Sequence, residues 1–277
     1  MNWIQSAMIG LVSGLCEPMP ISAEVHRSLL QQFFGLPSIE PLFLLSCHVA
    51  VLIVVLSAGR LELNKLWRTS KILHTSQSRR TGHPNLNQTG TLRLLRSAAV
   101  LTIIGRLLSF RLQTMVDRLW LLALPLVLIG LLLWLQTYIR TANKDGRHLT
   151  GLDGLIMGLA ALASAVPGIS LVGAVLAVAS MRGTQRQYAV CFTWILLSIS
   201  LLTAVVMDLL LVIRSGISFM ASGMLQAALC GTAAAFGAWL SIHFIRSRTR
   251  SGASGIAGFC FYNWGMALFC LALFLLV

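Results

Sequence analysis

Acidic side chains are scarce in this chain. Eight Asp and Glu stand against 21 Lys and Arg, and charged residues of both signs make up 10% of 277 residues. That excludes an ordinary water-soluble domain, in which roughly a quarter of residues are charged. Cys16, Cys47, Cys191, Cys230, Cys260 and Cys270 all lie inside apolar runs, with no C-x-x-C spacing and no histidine cluster around them. This pattern argues against a zinc site or a disulfide framework and reads as small core residues. Met1-Asn2-Trp3 carries no basic n-region and no small-residue cleavage site follows, so a cleavable leader is not expected. The net charge of +13 would suit nucleic acid in a soluble protein. In an apolar chain it reads as Lys and Arg gathered in cytoplasmic loops, and no nucleic-acid partner is expected.

What is abundant is apolar sequence, at 57% of residues. Six runs can span a bilayer: 41–59, 92–110, 119–139, 188–213, 222–245 and 256–277. Two further runs, 3–16 and 152–166, are short and end at Glu17-Pro18-Met19-Pro20 and Pro167-Gly168; each is followed by another short helical stretch, 22–34 and 170–183. Short apolar runs broken by Pro or Gly suit hairpins that enter and leave a membrane on one side. The segments 10–22 and 158–170 also align without gaps at Gly10/Gly158, Leu11/Leu159, Ile21/Ile169 and Ser22/Ser170. The expected fold is an all-α polytopic membrane protein: six transmembrane helices plus two re-entrant helical hairpins in an inverted repeat. It forms a single membrane domain over 1–277, with one half at about 1–139 and the other at about 151–277. An odd number of spans per half inverts the second half, a plan in which broken tips meet at the midplane.

Orientation follows from Lys and Arg. Arg60, Lys65, Arg68, Lys71, Arg79, Arg80, Arg140, Lys144, Arg147, Arg182, Arg186, Arg246, Arg248 and Arg250 fall on one side, against Arg27, Arg106, Arg111, Arg118 and Arg214 on the other. The first side is expected to be cytoplasmic and both termini outside. The mixed stretch 61–73 is expected to lie on the inner leaflet surface.

The stretch 17–27, EPMPISAEVHR, puts Glu17, Ser22, Glu24, His26 and Arg27 beside two prolines. A carboxylate at a membrane-embedded tip is costly unless it faces a wet cavity or a partner. Ser22 can cap the returning helix, whose free N–H groups favour an anion. His26 lies one turn further on the same face. This points to a polar pocket for a phosphorylated ligand, with Glu17 or His26 as acid/base. The competing reading is a capped turn with His26, Glu24 and Arg27 at the water interface. His48 reads as an interhelical hydrogen-bonding residue, Asp208 as a partner of headgroups or Arg214, and Asn263 as interhelical glue.

The stretches SGLCEPMPISAEVH (13–26) and PGISLVGAV (167–175), with GTQRQYAVCFTWILLSIS (183–200), resemble the undecaprenyl-diphosphate phosphatases of the BacA/UppP type. That family carries E-G-x-T/S-E-F-L-P-I/V-S-S-x-G-H and P-G-x-S-R-S-G-x-T. The resemblance covers essentially the whole chain. It implies removal of the terminal phosphate from a polyprenyl diphosphate in a prokaryotic cell membrane, serving cell-wall and peptidoglycan synthesis. It implies catalytic roles for Glu17, Ser22 and His26 and substrate binding by Ser170, Gly168 and Gly173, and it allows a homodimer. Ser13 stands where the first motif glutamate is expected, Leu171 where the diphosphate-holding arginine is expected, and Val172 and Val175 at the following serine and threonine. Substitutes for the lost cation are Arg27 and a divalent cation, Mg²⁺ or Ca²⁺, held by Glu17. These losses leave two alternatives open: a homologue that binds or translocates polyprenyl phosphate without hydrolysis, and a regulatory partner in envelope assembly.

Overall fold

The computed structural model describes residues 2–36, 39–74, 86–112, 119–138, 143–215, 221–250 and 254–276. Among them the regular structure is helical, with one isolated bridge between Lys144 and Thr184. In chain order the helices are α1 (Trp3–Cys16), α2 (Ala23–Phe33), α3 (Pro41–His74), α4 (Leu86–Leu112), α5 (Leu119–Leu135), α6 (Gly151–Ala163), α7 (Leu171–Met181), α8 (Arg186–Arg214), α9 (Ala221–Arg250), α10 (Ser254–Ala257) and α11 (Phe259–Leu276). Among the described residues, Pro41–Ile72, Trp120–Tyr138, Arg186–Arg214 and Ser222–Thr249 are long and apolar enough to cross a membrane. This is a multi-pass helical membrane protein. The expected spans 92–110 and 256–277 fall on α4, which carries Arg93, Arg96, Arg106 and Arg111, and on the shorter α11.

Residues 61–73 are helical. They continue α3 without a break to His74, because no proline interrupts Leu61–Leu73 and its Leu, Glu, Lys and Arg residues are good helix formers.

Close contacts set the directions of the helices. Thr69 Oγ1 donates to Gln88 Oε1 (2.6 Å) near one end of α3, and His48 meets Arg106 (3.1 Å) near the other, so α3 and α4 are antiparallel. Cys47 faces Cys230 (3.3 Å between sulfurs) and Arg246 donates to Ala58 O (2.7 Å), so α9 runs with α3. Helix α1 runs along α9, Gly10 against Cys230 and Gly14 against Ala234; α6 runs along α4, Gly154 against Leu94 and Gly158 against Ala98. The pairs α1–α2 and α6–α7 therefore enter the bundle from opposite ends.

Glycines four residues apart allow both approaches. A Cβ at Gly10 or Gly14 would overlap the backbone of Cys230 or Ala234, and at Gly154 or Gly158 it would fall 2.8 Å from a neighbouring Cα. The reversals follow from local sequence. Pro18 and Pro20 end α1, and Ser22 Oγ accepts from Val25 N (3.4 Å) to start α2. In the second hairpin Gly168 takes φ +96°, open to glycine at little cost, and Ser170 Oγ accepts from Gly173 N (3.1 Å) to start α7.

Gly14→Val forces branched volume into the α1–α9 contact. It is expected to destabilise the protein by about 1–3 kcal/mol or more, the scale of overpacking, read as a lowered Tm in detergent. Gly151→Ala, at a glycine with no neighbour within 4 Å, should leave Tm unchanged.

Candidate functional site

The two broken tips meet inside the bundle. Proline breaks leave three successive carbonyls without helical partners, and each is claimed from elsewhere. Trp194 Nε1 on α8 donates to Pro18 O (3.4 Å), Ser170 Oγ to Met19 O (3.3 Å), and Asn263 Nδ2 on α11 to Pro20 O (3.1 Å). Unsatisfied carbonyls at membrane depth cost several kcal/mol each, and these three bonds fix the first tip against the second half. Asn263 is thus the interhelical hydrogen-bonding residue the sequence suggested.

Beside this junction lies a cavity of about 50 Å³, lined by Glu17, Ser22, Glu24 and Arg106 from one side and by Ser164, Ser170, Leu171 and Ser200 from the other. The volume suits on the order of one or two water molecules. Ser22 and Ser170 are the N-caps of α2 and α7, so two helix N-termini meet at this cavity, where N–H groups and helix dipoles favour negative charge.

A buried network neutralises Glu17. Arg27 Nη1 donates to its Oε1 (3.1 Å), with the two side chains 8% and 12% exposed, and His48 Nε2 lies 3.7 Å from the same oxygen. His48 Nδ1 meets Asp208 Oδ2 at 2.6 Å, and Arg106 Nη2 meets His48 Nε2 at 3.1 Å. One neutral tautomer satisfies both contacts: Nδ1–H donates to Asp208 and Nε2 accepts from Arg106. Arg106 Nη1 lies 3.8 Å from Glu24 Oε1. Three carboxylates, two guanidiniums and the His48 imidazole, drawn from the first tip and from α2, α3, α4 and α8, thus share one polar cluster.

The sequence-derived candidates separate in space. Glu17, Ser22 and Ser170 share the cavity. His26 does not line it: its Nδ1 meets Ser22 O (2.6 Å), its Nε2 meets Tyr262 Oη (2.5 Å), and its ring stacks on Tyr262 of α11. The i+4 spacing from Ser22 is respected, but the ring turns to its aromatic partner. Arg27 likewise stands behind Glu17 as its counter-ion rather than lining the cavity. Gly168 and Gly173 act through backbone shape, Gly168 against Pro125 and Gly173 near Pro20 O (3.4 Å from a would-be Cβ). Val172 and Val175 are buried core residues, and the buried Ser13 hydroxyl has no hydrogen-bond partner.

Glu17 is the carboxylate to which the sequence assigns a divalent cation. Its Oε1 faces Arg27 and His48, and among the described residues no group of three or more His, Cys, Asp or Glu is arranged to hold a metal. Sequence reasoning missed Arg106 as a cavity residue, and Asp208 pairs with His48 rather than with headgroups or Arg214. The available signal was an ionisable residue inside each of three apolar helices.

Fold and site define a multi-pass membrane protein with a charged cavity between two opposed helix N-termini. The chain belongs to the family described as Bacitracin resistance protein BacA, which it matches over residues 6–269. It is similar to an undecaprenyl-diphosphatase of Carboxydothermus hydrogenoformans, 26% identical over 95% of this chain and 94% of that protein. It is 27% identical to an undecaprenyl-diphosphatase of Treponema denticola over 95% of this chain and 94% of that protein. Undecaprenyl-diphosphatase 1 of Halalkalibacterium halodurans is 32% identical over 70% of this chain and 69% of that protein.

Arg27→Leu strands the Glu17 carboxylate. The expected cost approaches about 3–5 kcal/mol, the scale of breaking a buried pair. The double variant Arg27→Leu/Glu17→Gln should melt above the single Arg27→Leu variant. A double variant no more stable than the single one would show that the pair is not the relevant contact.

Proposed function

We propose that this chain is an undecaprenyl-diphosphate phosphatase, or acts on a closely related polyprenyl diphosphate, returning the monophosphate lipid carrier to envelope synthesis. The observation that carries this reading is that Glu17, Ser22 and Ser170, from two hairpins entering from opposite ends, line one cavity beneath two helix N-termini. Membership of the BacA family supports it. The relatives' shared name as diphosphatases favours hydrolysis over simple binding or translocation.

In the reaction, water adds to the terminal phosphorus and the bond to the bridging oxygen breaks. Inorganic phosphate leaves, and the lipid keeps one phosphate. Glu17 takes the proton of the attacking water. Arg27 holds that carboxylate ionised and oriented, so it carries no proton of its own when water arrives. The Ser22 and Ser170 caps and the first N–H groups of α2 and α7 face the phosphate oxygens, where negative charge is held through the transition state. His48, held by Asp208, accepts from Arg106 and so positions that guanidinium beside Glu17. No step requires a bound metal, since guanidinium and N–H groups balance the charge. The lipid tail lies in the bilayer. The excess of Lys and Arg around residues 60–91, 140–150, 182–186 and 246–250 orients the α1–α2 pair to the outer face. The segments 75–85 and 140–142 of that assignment lie outside the described residues.

Purified protein in detergent or proteoliposomes should release inorganic phosphate from a polyprenyl diphosphate. Glu17→Gln should lose about 100-fold or more, the range of general-base catalysis. Release should persist in a divalent chelator, and collapse there would show that a metal supplies the charge. Absence of release under all conditions would remove the hydrolytic reading. For orientation, a cysteine at Ser215 should react with an impermeant maleimide in intact cells and one at Lys144 only after permeabilisation; the reverse pattern would invert the topology.

A further inference from the structure

Resting on that reading, we propose that Arg106 on α4 is the diphosphate-binding cation of this chain, replacing from a different helix the charge that the family motif supplies at position 171. The motif sets its arginine at the first residue of α7, and here that residue is Leu171. Leu171 and Arg106 line the same cavity, and among its described lining residues Arg106 is the one that carries positive charge. Arg27 does not take this role because it is held behind Glu17 at 3.1 Å.

The backbone explains how an α4 side chain reaches the hairpin tip. Gly105 lets α4 press against the end of α6: a Cβ there would lie 2.9 Å from Leu162 Cα and 3.1 Å from Ala161 O. The neighbouring Arg106 is thereby carried next to Ser164 and Ser170. Its guanidinium is held loosely on one side, 3.8 Å from Glu24 Oε1, and meets His48 Nε2 at 3.1 Å on the other. Five donors in a planar fork suit a bidentate grip on a phosphate. An arriving diphosphate displaces Glu24 as the counter-ion of Arg106. Glu24 therefore acts as a resident anion that competes with substrate.

The test combines turnover with binding of a non-hydrolysable probe, a prenyl methylene-bisphosphonate. Arg106→Gln should lower phosphate release by about 100-fold or more, the effect of removing one preorganised donor, and weaken probe binding. Arg106→Gln/Leu171→Arg should recover a substantial part of both. Glu24→Gln should tighten probe binding several-fold; this gain is not produced by a merely structural Arg106–Glu24 pair, and it does not depend on whether the Arg106 variant folds. If the wild-type protein binds the probe through Arg106 but releases no phosphate, the inference stands and the hydrolytic reading fails. If the protein hydrolyses substrate and Arg106→Gln does so equally well, or Glu24→Gln weakens binding, the inference is overturned and the hydrolytic reading survives. A wild-type protein that neither binds nor hydrolyses overturns both.

Discussion

The carboxylate of Glu17 sits at the broken end of a helix buried in an apolar bundle, and the surrounding helices are arranged to keep it charged there. An ionised carboxylate in such a setting is tolerable only with partners close by. Two unit charges 4 Å apart attract by about 4 kcal/mol at an effective dielectric of 20, so one well-placed guanidinium offsets much of the desolvation. Arg27 supplies it from the helix that returns from the same tip. His48 and Asp208 then bring in α3 and α8, and Arg106 brings in α4. Pairing of this kind is weak evidence for net stability. Its consequence is positional: the tip has a fixed place relative to three long helices.

A second demand arises at the same point. Reversing the chain inside the bundle exposes the carbonyls of Pro18, Met19 and Pro20, and residues from α7, α8 and α11 satisfy them. The first half thus supplies acceptors and the second half supplies donors. Ser170 serves both demands. Its hydroxyl donates to Met19 O and accepts from Gly173 N, so one side chain joins the two tips and starts α7. The junction presents two helix N-termini beside Glu17 and Glu24. Positive backbone ends and negative side chains offset each other in the small cavity, and a phosphate would alter that balance chiefly by displacing the most weakly held carboxylate.

Much of this scaffold was legible in the sequence because it depends on local features. Short apolar runs ending at Pro18-Pro20 and Pro167-Gly168 marked the breaks after α1 and α6, Ser22 marked the cap of α2, and the Pro-Ile-Ser and Pro-Gly-x-Ser motifs identified the family. The charge network was less legible because its members, Glu17, Glu24, Arg27, His48, Arg106 and Asp208, are scattered along the chain. Depth could still have linked three of them. His48 lies seven residues into α3, and Arg106 and Asp208 lie six residues from the ends of α4 and α8. At 1.5 Å per residue each is about 9–11 Å inside the same end of the bundle. Three ionisable residues at one depth are more informative than any of them judged singly. His26 shows the opposite limit. Its spacing from Ser22 was read correctly, but which way the imidazole turns depended on Tyr262, more than two hundred residues away.

Loss of a motif residue is a statement about one position, whereas phosphate binding depends on the potential at one point in space. Leu171 removes a guanidinium from the N-terminus of α7, and Arg106 contributes one to the same cavity from α4. Two guanidiniums crowded into so small a space would repel each other unless further carboxylates joined them. The apolar residue at 171 and the charged residue at 106 are therefore better understood together than as a defect and an unrelated charge. On this argument, Glu24 also has a reason to be present: while the cavity holds no phosphate, Arg106 needs a counter-ion. A carboxylate 3.8 Å away is close enough to fill that need and loose enough to yield to a ligand of higher charge.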